Sequence, residues 1–129
     1  MKINAKFIKE QFKDICQKHN LELIAEDEYQ LEYQNKSVIV YFGTERWEDG
    51  LIVHLTNKMN DEFYYPWDIE KSKGFEGFEG PLNQEEKNTL KTLKEGNDKI
   101  IFAFRILLER YCKDALNGDF TSLGEGKSS

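Results

Sequence analysis

The chain has 129 residues, a length that one hydrophobic core serves, so a second domain is not expected. Apolar residues make up 39% and charged residues 33%, which supplies a core and argues against wholesale disorder. Eighteen Lys and Arg stand against 24 Asp and Glu; the net charge of −6 disfavours a broad grip on nucleic-acid phosphates and suits a basic partner.

Met1 to Phe12 interleaves Lys2, Lys6, Lys9 and Glu10 with its apolar residues, so the unbroken apolar run of a secretion signal is missing. The most apolar window, Ile100 to Leu108, is interrupted by Arg105 and falls short of the roughly 20 residues a bilayer span needs. A cytoplasmic protein without membrane contact is the expectation. Cys16 and Cys112 lack zinc-ligand spacing and sit in amphipathic helical patterns, which predicts reduced core thiols. A disulfide between two core helices stays open.

Taken in chain order, Ile8, Phe12, Ile15 and Cys16 recur at helical spacing and predict a first helix over 5–19, closed by Asn20. The period then changes to two. Leu21 and Leu23, then Tyr29, Leu31 and Tyr33, predict two strands joined at the Glu26-Asp27-Glu28 cluster. A turn at Asn35 leads to a third strand, Val38 to Phe42, apolar on both faces and therefore expected to be central and doubly buried. A loop with Trp47 near its tip precedes a fourth strand over 51–56, and Phe63-Tyr64-Tyr65 predicts a short fifth that Pro66 terminates. The repeat Gly74-Phe75-Glu76-Gly77-Phe78-Glu79-Gly80 predicts a loop. Asn83 and Glu86 form a capping box for a modest helix to about Lys94, and Asp98 is placed to cap a final helix running to Leu116. The order predicts an α+β fold: an N-terminal helix, an antiparallel sheet of four or five strands, and two C-terminal helices packed on one sheet face. Residues 1–120 form the domain; residues 121–129 have little to bury and are expected to fray.

Chemistry-bearing motifs are sparse. His19 and His54, the two histidines, have no metal-binding neighbours at the required spacing, and no metal or cofactor is predicted. The acidic clusters at Glu26-Asp27-Glu28, Glu45/Glu48/Asp49 and Asp61-Glu62 fall in turns, where water keeps carboxylates ionised and unsuited to paired acid and base work. They also lack the calcium-loop spacing. Nucleophile-elbow, P-loop and dinucleotide fingerprints are missing, and no catalytic residue is assigned.

Residues 61 to 80 stand out. They hold six acidic against two basic side chains, two thirds of the net charge, together with Phe63, Tyr64, Tyr65, Trp67, Phe75 and Phe78. Rings supply buried area to an interface while carboxylates steer a basic partner; the competing reading is that these rings close the second face of the sheet. The first reading assigns partner binding to Trp47, Tyr65, Trp67, Asp68, Glu70, Phe75, Glu76, Phe78 and Glu79.

This layout, one α+β domain with an acidic aromatic stretch and no catalytic motif, resembles the small acidic immunity proteins of bacterial polymorphic-toxin systems. The ending Leu107-Leu108-Glu109-Arg110-Tyr111-Cys112-Lys113-Asp114-Ala115-Leu116-Asn117-Gly118-Asp119-Phe120 also looks like the last helix and Gly-Asp-Phe exit of small bacterial domains of similar size. The resemblance implies a bacterial binding protein that neutralises a basic toxin or effector by occlusion, and it carries no residue-level site. Two other readings stand beside it: a small-ligand-binding domain or enzyme with a pocket between sheet and terminal helix involving His54, and a subunit that pairs through its edge strand.

Overall fold

The computed structural model describes residues 2–44, 50–77, 79–124 and 126–127. Helix α1 (Ala5–His19) starts where the Asn4 side chain accepts from the Phe7 N–H, and it ends where Asn20 takes the left-handed conformation at φ 56°. Five strands follow: β1 (Glu22–Glu26), β2 (Gln30–Gln34), β3 (Val38–Thr44), β4 (Leu51–Asn57) and β5 (Phe63–Tyr64). They form one antiparallel sheet in the order β1-β2-β3-β4-β5, so each strand lies beside its chain neighbour. Helices α2 (Pro66–Ser72), α3 (Gln84–Thr92), α4 (Gly96–Tyr111) and α5 (Lys113–Leu116) complete the α+β fold, with a 3₁₀ turn at Thr121–Leu123.

Strand alternation fixes the two sheet faces. Leu31, Tyr33, Val40, Phe42, Val53, Leu55 and Tyr64 point inward and join Ile8 and Phe12 of α1 and Phe104, Leu107 and Leu108 of α4 in a single core. Phe12 meets Phe42 edge-on at 4.9 Å, and Phe104 meets the same ring at 5.9 Å, so one aromatic trio ties both helices to the central strand. The C-terminal helices stand on this face two deep. Helix α4 lies over the sheet, and Leu90 of α3, with Leu82 just before that helix, packs against Phe102 and Ile106 of α4 in a second cluster. That second contact accounts for the width of the apolar stripe on α4.

Several local expectations change. Strand β3 is central but buried on one face only, because Ile39 and Tyr41 on its outer side are half-exposed. Pro66 ends the fifth strand and also opens α2, where its missing N–H costs no helical bond. The last long helix breaks at Cys112, whose φ of −124° separates α4 from α5. Asp98 does not cap α4: Glu95 holds that position, and the Asp98 carboxylate in the first turn accepts from the Asn4 side chain at 3.3 Å. Beyond Phe120 the chain has something to bury, since Leu123 is in the core and Lys127 exchanges two backbone hydrogen bonds with Phe63 on the outer edge of β5. Cys16 and Cys112 are both free thiols. Among the described residues, no helix is long and apolar enough to cross a membrane.

Candidate functional site

The outward face of the sheet carries a run of rings. In the β3–β4 register Tyr41 lies opposite His54, and their rings stack at 4.7 Å with planes 18° apart. Across to β5, Phe63 pairs with Thr56 and its ring lies 5.5 Å from His54. Tyr65, just past β5, meets Phe63 edge-on at 5.3 Å and stacks on Trp67 of α2 at 4.4 Å, planes 10° apart. The strip therefore crosses the sheet from its centre to its edge. Gly43 makes room for one end of it: a side chain there would collide with the Tyr41 ring, which folds across it on the outer face. Tyr41, His54, Phe63 and Tyr65 are half-buried, and Trp67 is 57% exposed.

Electrostatics within the strip are local. Burial holds the His54 imidazole below its ordinary value, which favours the neutral ring, and Nδ1 lies 3.4 Å from the Thr56 hydroxyl. Lys127 sits over the Tyr65 ring at 5.1 Å and 3.5 Å from Asp68 Oδ2. That oxygen is shielded from water and makes no hydrogen bond, so Lys127 is its charge partner at longer range.

A second feature lies behind Trp67, on the helical side of the sheet. Leu51 and Val53 of β4, Trp67 of α2, and Ile100 and Phe104 of α4 wall an apolar pocket of about 340 Å³, and Glu70 joins them in its lining. Glu70 is only 9% exposed, and no hydrogen bond or ion pair reaches its carboxyl among the described residues. Burial raises its pKa above the ordinary carboxyl value, the direction expected for an acid among apolar walls.

The structure divides the residues singled out between 61 and 80. Tyr65 and Trp67 lie on the aromatic strip. Asp68 is engaged by Lys127, and Glu70 faces the pocket instead of the surface. Phe75 packs edge-on against Tyr111 at 4.7 Å and leans on the core, away from the strip. Glu76 and Glu79 are exposed, while Trp47 and Phe78 lie outside the described residues. Tyr41, His54 and Phe63 belong to the strip but not to the partner-binding residues assigned from sequence, which names Phe63 only in the aromatic stretch and His54 only for a pocket; the register that aligns the three is not visible in sequence. His54 sits on the outer sheet face, so the pocket that does lie between sheet and terminal helix has Glu70, not a histidine, as its ionisable group.

No group of three or more His, Cys, Asp or Glu side chains suited to a metal ion occurs among the described residues. Compared with models of protein families, with curated proteins and with solved structures, the chain matches none.

Proposed function

We propose that this chain is a binding protein whose working surface is the outer sheet face, with Tyr41, Phe63, Tyr65 and Trp67 as anchors. The observation that carries the reading is the unbroken contact from Tyr41 through His54 and Tyr65 to Trp67 on a face whose residues stay half-exposed. Contiguous rings that keep part of their surface open serve as interface anchors elsewhere, because stiff side chains bury much area at little entropic cost. Mutual stacking already holds these rings in place, which lowers the cost of ordering them on association.

A basic protein partner, neutralised by occlusion as immunity proteins neutralise toxins, is the finer form of the proposal. Net charge supports it, and so do Asp61, Glu62, Glu76 and Glu79, the acids of the 61–80 stretch that remain after Lys127 engages Asp68 and the pocket takes Glu70. The test is stoichiometric capture from the native host by the wild-type chain and by a Tyr41→Ala/Tyr65→Ala/Trp67→Ala variant that keeps its thermal midpoint. One basic partner held by the wild type and lost by the variant is expected; the same partner retained at equal strength by the variant overturns the assignment.

A further inference from the structure

We infer that the pocket behind Trp67 is a binding site for a small apolar amine, with the ligand's ammonium group against Glu70 and its hydrocarbon body against Val53, Ile100 and Phe104. The pocket uses the inward face of β4, opposite the strip, and shares Trp67 with it.

Three observations converge. The volume, about 340 Å³, falls in the small-ligand range of roughly 300–1,000 Å³. The described lining is apolar apart from one ionisable side chain, that of Glu70, a residue 9% exposed whose carboxyl has no hydrogen bond or ion pair among the described residues. Among the described residues, no Lys, Arg or His lines the pocket.

An isolated acid in such a place normally either acquires a partner or costs stability. Within α2, Pro66 opens the helix, Ile69 is fully buried, Lys71 is exposed and Asp68 has Lys127 beside it, whereas Glu70 lines the apolar pocket with no such cation among the described residues. A ligand that completes this site brings a positive charge or strong donor for the carboxylate and an apolar body for the walls. An organic ammonium does both, its body meeting aromatic walls from Trp67 and Phe104. Anionic ligands are repelled by the ionised acid. Neutral alcohols fill the walls but give the acid only a neutral hydrogen bond, which is the weaker of the two pairings.

The test uses three probes of matched size, 2-phenylethylammonium, 2-phenylethanol and phenylacetate, titrated into the full chain at neutral pH. Amide shifts of Val53 and Ala103 locate the binding by NMR. The ammonium probe is expected to saturate these shifts at least tenfold more tightly than the alcohol, with phenylacetate weakest. Glu70→Gln is expected to abolish the preference for the ammonium while leaving the alcohol affinity within about twofold. Ala103→Leu, which fills the cavity from α4, is expected to weaken all three probes. Equal affinity for ammonium and alcohol in the wild type, a preference that survives Glu70→Gln, or no saturable shift at Val53 and Ala103 with any probe would each overturn the proposal; the last two readouts stand on the wild-type fold and on a near-isosteric change.

Discussion

The side-chain amide of Asn35 donates to the carbonyl oxygen of Leu116 at 2.9 Å, joining the β2–β3 turn to the end of α5 across 81 residues of sequence. The same nitrogen donates to the carbonyl of His19 at 2.8 Å, and the side-chain oxygen accepts from the N–H groups of Ser37 and Val38. One residue thus shapes a hairpin turn and terminates two helices whose last carbonyls have no intrahelical donor. Replacing Asn35 by Ala should cost about 2–3 kcal/mol, since several partly buried groups lose their partner at once. Asn35→Asp should cost nearly as much, because a carboxylate cannot donate to either carbonyl. Chemical denaturation with an unchanged slope checks both; a loss below 0.5 kcal/mol, roughly the range of ordinary surface changes, would show that water replaces the side chain.

A different kind of cap opens α3. Glu86 accepts from the Asn83 N–H at 2.9 Å and forms a two-pronged pair with Arg110 of α4, at 2.8 and 2.6 Å. Arg110 also donates to the Pro81 carbonyl at 3.1 Å, so the pair pins the approach to α3 as well as its first turn. The guanidinium is the main reason the Glu86 carboxyl lies below its ordinary value. Glu86→Ala should destabilise by about 1–2 kcal/mol through the lost cap and pair together. A depressed acid contributes stability that is present above its unfolded value, 4.5, and lost as pH falls through its folded one. The difference between wild type and Glu86→Ala measured by denaturation should therefore shrink below pH 4.5; a constant difference would argue that the cap geometry, not the charge, carries the effect.

The two thiols offer a clean readout of core integrity. Burial pushes Cys16 up to about 11 and Cys112 up to about 12, so neither is a thiolate at neutral pH. In the native protein at pH 8 the buried Cys112 should react with a thiol reagent only through unfolding, the partly exposed Cys16 should react faster, and both should label rapidly in denaturant. Fast labelling of Cys112 in the native state would show local opening at the α4–α5 break.

Much of this fold is written in local pattern. The spacing of Ile8, Phe12 and Ile15, the alternation through Val38–Phe42, and the Asn83–Glu86 box each depend on residues within one or two turns, and each element lies where its pattern places it. Helix α2 escapes because seven residues are too few to show a period and only Ile69 and Glu70 are buried, while Pro66 fits a strand end and a helix start equally well. The break at Cys112 carries no Gly or Pro to announce it. The aromatic strip needs the pairing of Tyr41 with His54 and of Thr56 with Phe63, and register is a tertiary property. Glu70 is legible in sequence only as a charge near other charges: the pocket it lines is shared with Val53 on β4 and Phe104 on α4, residues that no local window contains.

That burial has a consequence for stability as well as for ligand binding. A raised acid binds its proton more tightly in the folded state than in the unfolded one. Its contribution is therefore most favourable below the unfolded value of 4.5 and turns into a penalty as pH rises through the higher folded value. Glu70→Met keeps the volume, removes the charge and suits the walls of Leu51, Val53 and Phe104. The variant should be more stable than wild type by about 1 kcal/mol at neutral pH, the low end of the cost of withdrawing a polar group from water. The gain should fade as pH falls through the folded value and be lost below 4.5, where the wild-type carboxyl becomes neutral in both states. Parallel denaturation curves from pH 4 to pH 8 measure this directly. A gain that stayed constant with pH would mean that the methionine packs better but that Glu70 never bore a penalty, and a loss at pH 7 would mean that the carboxylate has a partner that stabilises its charge. A stabilising substitution that also removes the ammonium preference would mark Glu70 as a residue at which stability is given up for binding.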